Sequence, residues 1–326
     1  MESGSASLGN AATDVNRHRQ DYFELEQIKK RVENDEGLSS AASKIEQLLW
    51  EEYENPAIEP FAKAVLEAGP VHEREDLREL ADMACNYIPD VVQHELSGVP
   101  RRLEHLTCLV EAMRDQDFEG CDVFTLNHDL LIEKVLEKDG LQFVDGFGVP
   151  DGDVAWWKPD VFKQNSRHYF LKLHGSIDWH EYDGGLAKTL ASDRYNAHTA
   201  CGERLAPQAR SKILVGTFNK IRDYSRPPFF DLQATFRQQM DKVDYLMVSG
   251  YSWGDKGVNA VLSEWMYKRT QSKLLVLHAD GDQCLERARG AIWNLRERCG
   301  KARMFTYPSH LNDCGWRDLR QQHQIR

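Results

Sequence analysis

Two apolar runs decide the fold: YLMVSG at residues 245–250 and LLVLHA at residues 274–279. Each run has the length of one strand and is mostly apolar, which is typical of parallel strands covered by helices on both faces. Between the runs lies an apolar stripe with helical spacing, formed by Val258, Val261, Leu262, Trp265 and Met266. A second helix is predicted after the second run, over residues 283–298. This alternation of strands and helices predicts a doubly wound α/β sheet.

Further strand candidates extend this pattern back to residue 121. The predicted strands are 122–126, 141–144, 169–173, 212–215, 245–249, 274–277 and 304–307. Segment 178–211 has little apolar periodicity, so a loop-rich insertion is predicted there. Residues 1–120 show only helical spacing and are predicted to form a mostly helical segment packed on a core made by residues 121–326. The predicted fold class is a Rossmann-like doubly wound parallel sheet with an N-terminal helical module.

The composition argues against several classes of protein. The 326 residues are 41% hydrophobic and 29% charged, which is enough to bury a core, and the net charge of −11 disfavours a nucleic-acid partner. No apolar run reaches membrane-spanning length and the first residues do not form a secretory signal, so a cytoplasmic protein without a membrane partner is predicted. The seven cysteines include no CxxC pair, which predicts reduced thiols without a zinc site or disulfide framework.

The first polar cluster at a strand end is Thr125-Leu126-Asn127-His128-Asp129. In an open α/β sheet, ligands bind beyond the carboxyl ends of the strands. Taken singly, Asp129 is also typical of a helix N-cap and Asn127 of a turn. Three consecutive polar side chains at this place favour a functional site.

Two more strand ends carry candidate residues. His174 follows strand 169–173, and Gly175 permits a close backbone approach. A histidine there can act as a general base near neutral pH, although a lone histidine is more often structural. After the strand at 245–249, Gly250 opens a turn in which the Ser252 hydroxyl is placed to reach a phosphate or ribose. A purely structural turn is the alternative, since GxGxxG, P-loop, HExxH and GxSxG motifs are all absent from the sequence.

Together these stretches resemble the sirtuin family, and in particular its divergent bacterial branch. TLNHD at 125–129 is similar to the family's T-x-N-x-D, and LKLHGSIDW at 171–179 is similar to the block that contains its catalytic histidine. SGYSWGDKGVN at 249–259 is similar to its later G-[TY]-S turn. VDGFG at 144–148 and IEQLL at 45–49 also resemble that branch.

The resemblance implies that NAD is the substrate and that no metal is required. It implies that Asn127 holds the nicotinamide ribose and the attacking water, that His174 is the base, and that Asp129 orders the pocket near the nicotinamide. The residues it implies for NAD binding are Thr125, Asn127, His128, Asp129, Gly216, Thr217, Gly250, Tyr251, Ser252 and Asp280.

Two parts of the family's pattern are not recognisable in this sequence. The first is the glycine-rich loop: either Gly4-Ser5-Ala6-Ser7 is its remnant, or the first strand lies upstream of this start. The second is the two CxxC pairs that hold zinc in deacylating members. Their absence from the sequence favours plain NAD hydrolysis, to nicotinamide and ADP-ribose, over removal of acyl groups from lysine.

In the bacterial branch, NAD hydrolysis commonly serves antiphage defence by draining cellular NAD. The resemblance therefore implies an NAD-depleting effector, with a homo-oligomer or a defence-system protein as its partner. Two alternatives stay open. One is an NAD-dependent protein deacylase, and the other is a non-catalytic module that binds NAD or ADP-ribose.

Overall fold

A computed structural model describes residues 92–93, 96–98, 103–191, 194–208, 211–214, 224–286, 288, 292–300, 302–323 and 325. Most of the helical segment predicted over 1–120 lies outside these residues. In the described part of that segment, Thr107–Arg114 is a helix, as the sequence predicts. It buries Cys108, Val110, Ala112 and Met113.

Seven α-helices and ten strands have both of their ends in the described part of the chain. The helices are α1 Thr107–Arg114, α2 Leu131–Lys138, α3 Phe229–Met240, α4 Lys256–Lys268, α5 Gly281–Glu286, α6 Ile292–Cys299 and α7 Trp316–His323. The strands are β1 Val123–Thr125, β2 Val154–Trp156, β3 Phe170–Lys172, β4 Trp179–Tyr182, β5 Gly185–Thr189, β6 Ala197–His198, β7 Arg204–Leu205, β8 Tyr245–Ser249, β9 Lys273–Leu277 and β10 Met304–Tyr307. No helix in these ranges is long and apolar enough to cross a membrane.

Parallel pairing dominates the strands that the apolar runs predict. β1 pairs with β3, with Thr125 opposite Lys172, and β9 lies between β8 and β10 with all three strands parallel. The α/β class with parallel strands is therefore confirmed. Within the described residues these strands form one sheet of two strands and one of three, so the single doubly wound Rossmann-like sheet stays a prediction.

Five of the seven predicted strands are present, and the two at 141–144 and 212–215 are not strands in the described residues. In each of these, the described residues make one isolated bridge, from Val144 to Tyr169 and from Ile213 to Gly175. No strand begins at Leu141 because this residue still closes the C-terminal end of α2, where its N–H donates to the Leu136 carbonyl at 2.9 Å.

The segment 178–211, predicted to be loop-rich, contains β4, β5, β6 and β7. β5 pairs antiparallel with both β2 and β4, and β6 pairs antiparallel with β7. A small separate core forms between these strands from Val154, Tyr182, Ala187, Ala197 and Leu205. Each strand gives only one or two residues to this core, so no periodic stripe shows in the sequence.

The prediction of a single helix over 283–298 is also corrected. The described residues show two helices there, α5 and α6. Gly290 lies between them in the sequence, and glycine costs about 1 kcal/mol in a helix interior.

The main core lies where α3 and α4 pack against strands of both parallel sheets. The predicted stripe on α4 is confirmed, because Val258, Val261, Leu262, Trp265 and Met266 are all buried. They share one apolar cluster with Leu171 of β3 and with Leu274 and Val276 of β9. Burying a side chain of this size stabilises the fold by about 1.5–3 kcal/mol. This core therefore holds the ends of β3 and β8 in a common frame.

Candidate functional site

The loops that follow β1 and β3 lie side by side. The Leu173 N–H donates to the Thr125 carbonyl at 2.9 Å, and the Ile177 N–H donates to the His128 carbonyl at 3.1 Å. The rings of His128 and His174 have their centroids 6.4 Å apart. Adjacent parallel strands thus bring the first two sequence motifs together at one edge of the sheet.

The backbone of the His174 turn is held from both sides. Gly175 has a φ of +81°, and a Cβ on it would lie 2.0 Å from the Lys212 carbonyl oxygen. The Leu214 N–H donates to the His174 carbonyl at 2.8 Å, and the Ser176 N–H donates to the Lys212 carbonyl at 3.2 Å. Only glycine fits at position 175, so the sequence His-Gly fixes where the histidine is presented.

The His174 imidazole is buried and lies against two polar groups. Its Nε2 is 3.1 Å from Asp255 Oδ2 and 3.0 Å from the Tyr224 hydroxyl oxygen. The Tyr224 hydroxyl in turn donates to Asp255 Oδ2 at 3.3 Å. The side chains of His174 and Asp255 are each 7% exposed, so this histidine–carboxylate pair is largely shielded from water.

Asp255 reaches the histidine because it is the N-cap of α4. Its Oδ1 accepts hydrogen bonds from the N–H groups of Gly257 at 2.8 Å and Val258 at 3.0 Å. An aspartate is among the preferred residues for this position, where it satisfies orphan N–H groups of the first turn. One carboxylate oxygen therefore anchors the helix while the other contacts His174.

The turn between β8 and α4 is tied to that helix. Gly250 and Trp253 both have positive φ, of 70° and 61°. The Asn259 side-chain amide donates to the Trp253 carbonyl at 2.9 Å, and the Tyr251 hydroxyl donates to Asn259 Oδ1 at 2.8 Å. Ser252 is exposed on this turn. The third sequence motif is thus brought to His174 through Asp255.

The side chains of Asn127 and Asp129 differ in their hydrogen bonding. The Asn127 side chain is exposed, and no group among the described residues hydrogen-bonds to its carboxamide. Asp129 Oδ1 accepts the Leu131 N–H at 3.0 Å, which shapes the entry to α2. Thr125 Oγ1 accepts the Asn127 N–H at 3.1 Å and so supports the turn. Asp129 and Thr125 have structural bonds, whereas the Asn127 amide is available to a ligand.

Three predicted site residues remain, and the structure describes one of them. Asp280 follows β9, is exposed, and its Oδ1 accepts the Gln283 N–H at 3.0 Å at the start of α5. Gly216 and Thr217 lie outside the described residues.

Buried charges lie under the two loops. Lys172, the last residue of β3, is 2.7 Å from Glu133 Oε1 on α2, and its Nζ also donates to the Asp129 carbonyl. Burial raises the pKa of Glu133 to about 7, against the nearby Lys172 charge that lowers it. Burial also raises the pKa of Asp178. The Lys172–Glu133 pair joins the elements that carry His174 and Asn127.

Asp255 and Tyr224 are the site residues to which the sequence analysis assigns no role, although Asp255 lies within the motif at 249–259. Asp255 has a sequence signal, an aspartate just before an apolar helical stripe, but that pattern indicates an N-cap and nothing about a histidine. Tyr224 belongs to no motif. Among the described residues, no group of three or more His, Cys, Asp or Glu side chains is placed to hold a metal ion.

The family of the chain follows from comparison with known proteins. A family model for the SIR2-like domain matches residues 122–296, which is more than half of the chain. The protein therefore belongs to the SIR2-like domain family, which confirms the sirtuin-like resemblance and points to an NAD-related function. The match includes the strand ends that carry Asn127, His174 and Asp255. A search of curated proteins finds no match to the chain.

Proposed function

We propose that the protein is an NAD+ glycohydrolase, which cleaves the bond between nicotinamide and ribose. The observation that supports this most is the shared edge of β1 and β3, where the exposed Asn127 amide and the buried His174–Asp255 pair follow adjacent strands. A general base close to a free amide suits a reaction in which a water molecule is activated and a sugar is positioned.

The reaction balances with NAD+ and water as its reactants. The bond between ribose C1 and the pyridinium nitrogen breaks, and both electrons leave with nicotinamide, which becomes neutral. The water oxygen bonds to C1 and loses a proton, so the products are nicotinamide, ADP-ribose and one proton. Positive charge develops on the ribose as the bond breaks, and preorganised dipoles stabilise such a transition state.

Each residue has a role in this proposal. The Asn127 carboxamide orients the nicotinamide ribose and the attacking water, and His174 takes up the proton. Asp129 and Thr125 shape the loop that carries Asn127, and His128 lines the pocket beside it. Gly250, Tyr251 and Ser252 contact the diphosphate or the adenosine ribose. Asp280, Gly216 and Thr217 complete the NAD pocket.

The first test is NAD consumption by purified parent protein and by His174→Ala and Asn127→Ala, with nicotinamide and ADP-ribose quantified by mass spectrometry. We expect each substitution to lower kcat by at least about 100-fold, the scale of general acid–base catalysis. His198→Ala is the matched control, because His198 is a half-exposed histidine on β6 that lies 3.8 Å from Asp153. It should retain parent activity.

The outcomes separate the alternatives. Consumption of NAD only in the presence of an acyl-lysine peptide would establish the deacylase. Binding of NAD or ADP-ribose without turnover in any protein would establish the non-catalytic module and refute the hydrolase.

We further propose that this activity serves antiphage defence by depleting NAD, in a homo-oligomer or with a partner protein. Cells that express the parent should lose NAD after phage infection, whereas cells that express His174→Ala should keep it. Equal NAD levels in both would rule out this role.

A further inference from the structure

A single carboxylate lies between the helix that follows β8 and the histidine that follows β3. Asp255 Oδ1 accepts the N–H groups of Gly257 and Val258, and Asp255 Oδ2 lies 3.1 Å from His174 Nε2. Helix capping alone needs one oxygen. The second oxygen is not needed for the cap, and it is directed at the imidazole.

The contact between Asp255 and His174 indicates which imidazole nitrogen carries the proton. An ionised carboxylate can only accept, so the Nε2 that faces it carries the proton. The Tyr224 hydroxyl donates to the same Oδ2 at 3.3 Å, which leaves its oxygen as an acceptor facing Nε2 at 3.0 Å. The Asp255 carboxylate and the Tyr224 hydroxyl oxygen are thus both placed to accept the proton of Nε2. A neutral imidazole with a proton on Nε2 has its lone pair on Nδ1.

We propose that Asp255 is a positioning residue that sets the tautomer of His174 and makes Nδ1 the nitrogen that acts as the base. The carboxylate also stabilises the imidazolium formed when Nδ1 takes up the proton. This inference rests on the proposed hydrolase for its catalytic consequence, but the tautomer itself is a property of the protein without substrate.

The structure makes a sharp prediction for Asp255→Asn. Asparagine caps helices as well as aspartate does, so its one oxygen stays with the N–H groups of Gly257 and Val258. Its NH₂ group then faces His174 Nε2. Because two donors cannot face one another, Nε2 loses its proton and Nδ1 gains it. The variant should fold normally and hold the imidazole in the wrong tautomer.

Asp255→Ser separates the cap from the histidine contact in a second way. A serine hydroxyl also caps the helix, but the side chain is shorter and has no second oxygen to reach His174. Asp160→Asn is the matched control for the loss of a charge, since the Asp160 side chain is 83% exposed and pairs with Lys163 on the surface.

The experiment records long-range ¹H–¹⁵N spectra of histidine-labelled full-length protein, with the His174 signals identified by their loss in His174→Gln. We expect Nε2–H in the parent and Asp160→Asn, and Nδ1–H in Asp255→Asn. In NAD hydrolysis, Asp255→Asn and Asp255→Ser should both lower kcat about 100-fold with little change in KM.

Nδ1–H in the parent, or the same tautomer in the parent and Asp255→Asn, would overturn the inference. Parent-like kcat in both Asp255 variants would also overturn it, by leaving the residue a helix cap only. A tautomer that switches as expected in a protein that consumes no NAD would refute the proposed hydrolase and leave the positioning role standing.

Discussion

Two buried polar pairs lie two residues apart on the chain, and they are suited to different tasks. Lys172, inside β3, pairs with Glu133 across to α2, while His174, just beyond the strand, pairs with Asp255 from the start of α4. The first pair joins a lysine and a carboxyl group that are both buried, so removing one partner leaves the other buried without it. The second contains an imidazole, the side chain that most often transfers protons in general acid–base catalysis. The comparison teaches that the last residue of β3 serves stability, whereas the residue two positions further on is suited to the proton transfer that we propose.

The largest expected effect is a loss of protein stability when the Lys172–Glu133 pair is broken. Lys172→Met leaves Glu133 buried without the cation that faces it, and should lower the free energy of unfolding by about 3–5 kcal/mol. Denaturant titration of the variant measures this loss. Lys163→Met is the control, because the Lys163 side chain is 81% exposed in a surface pair, and it should change stability by less than about 1 kcal/mol. A Lys172→Met protein as stable as the control would contradict the stabilising role of the Lys172–Glu133 pair.

The pH dependence of stability tests the same pair. The pKa of Glu133 is about 7 in the folded protein and lies at 4.5 without the fold, so the folded state holds a proton that the unfolded state has lost. Stability from this group is fully present below pH 4.5 and is lost as the pH rises through about 7, by up to about 3 kcal/mol. Unfolding measured from pH 4.5 to 8 should show a steeper decline in the parent than in Glu133→Gln. Asp178, whose pKa is raised in the same direction, accounts for slope that remains. Equal slopes in the two proteins contradict the assignment to Glu133.

The turn that directly follows His174 gives the third prediction. Gly175→Ala places a Cβ 2.0 Å from the Lys212 carbonyl oxygen at a φ of +81°, and should cost about 3 kcal/mol from strain and overpacking. Gly140→Ala is matched in backbone, with a φ of +67°, but has nothing within 4 Å of the added Cβ, and should cost about 1 kcal/mol. Thermal unfolding of both variants measures the difference. If the two glycines tolerate alanine equally, the turn is not held as tightly as the contacts indicate.

The smallest expected effect is that of Tyr224→Phe, which should lower activity more than stability. Tyr224→Phe removes the hydroxyl that lies against His174 Nε2 and Asp255 Oδ2 while the Asp255–His174 contact remains. We expect NAD hydrolysis to fall about tenfold and the free energy of unfolding to change by only about 1 kcal/mol, the net value of one hydrogen bond. Steady-state kinetics and denaturant unfolding of the same preparation provide the two readings. A large loss of stability with unchanged kinetics would reverse the contrast between the two pairs.

The sequence was most informative where a local pattern coincides with a buried element. β8 and β10 have the predicted bounds of 245–249 and 304–307, and the α4 stripe is buried as predicted, because apolar runs and helical spacing report directly on burial. The antiparallel strands β4 to β7 were missed because each contributes one or two residues to a core that forms only when they pair.

The residues of the candidate site also fall into those that the sequence predicts and those that it does not. Asn127 and His174 are recognisable because polar residues that end an apolar strand in a parallel sheet share an edge. Asp255 is 81 positions from His174 and Tyr224 is 50 positions away, so no local pattern connects them.

By itself, the sequence determined the α/β class, the strands that carry the polar ends and the membership of a family with NAD-related function, since each depends on short stretches with their own periodicity or motif. Only the tertiary structure decided which carboxylate faces His174 and that Lys172 and Glu133 share a buried pair. Those contacts depend on how β3, α2 and α4 pack in the core, and packing joins residues whose separation along the chain carries no information about their distance in space.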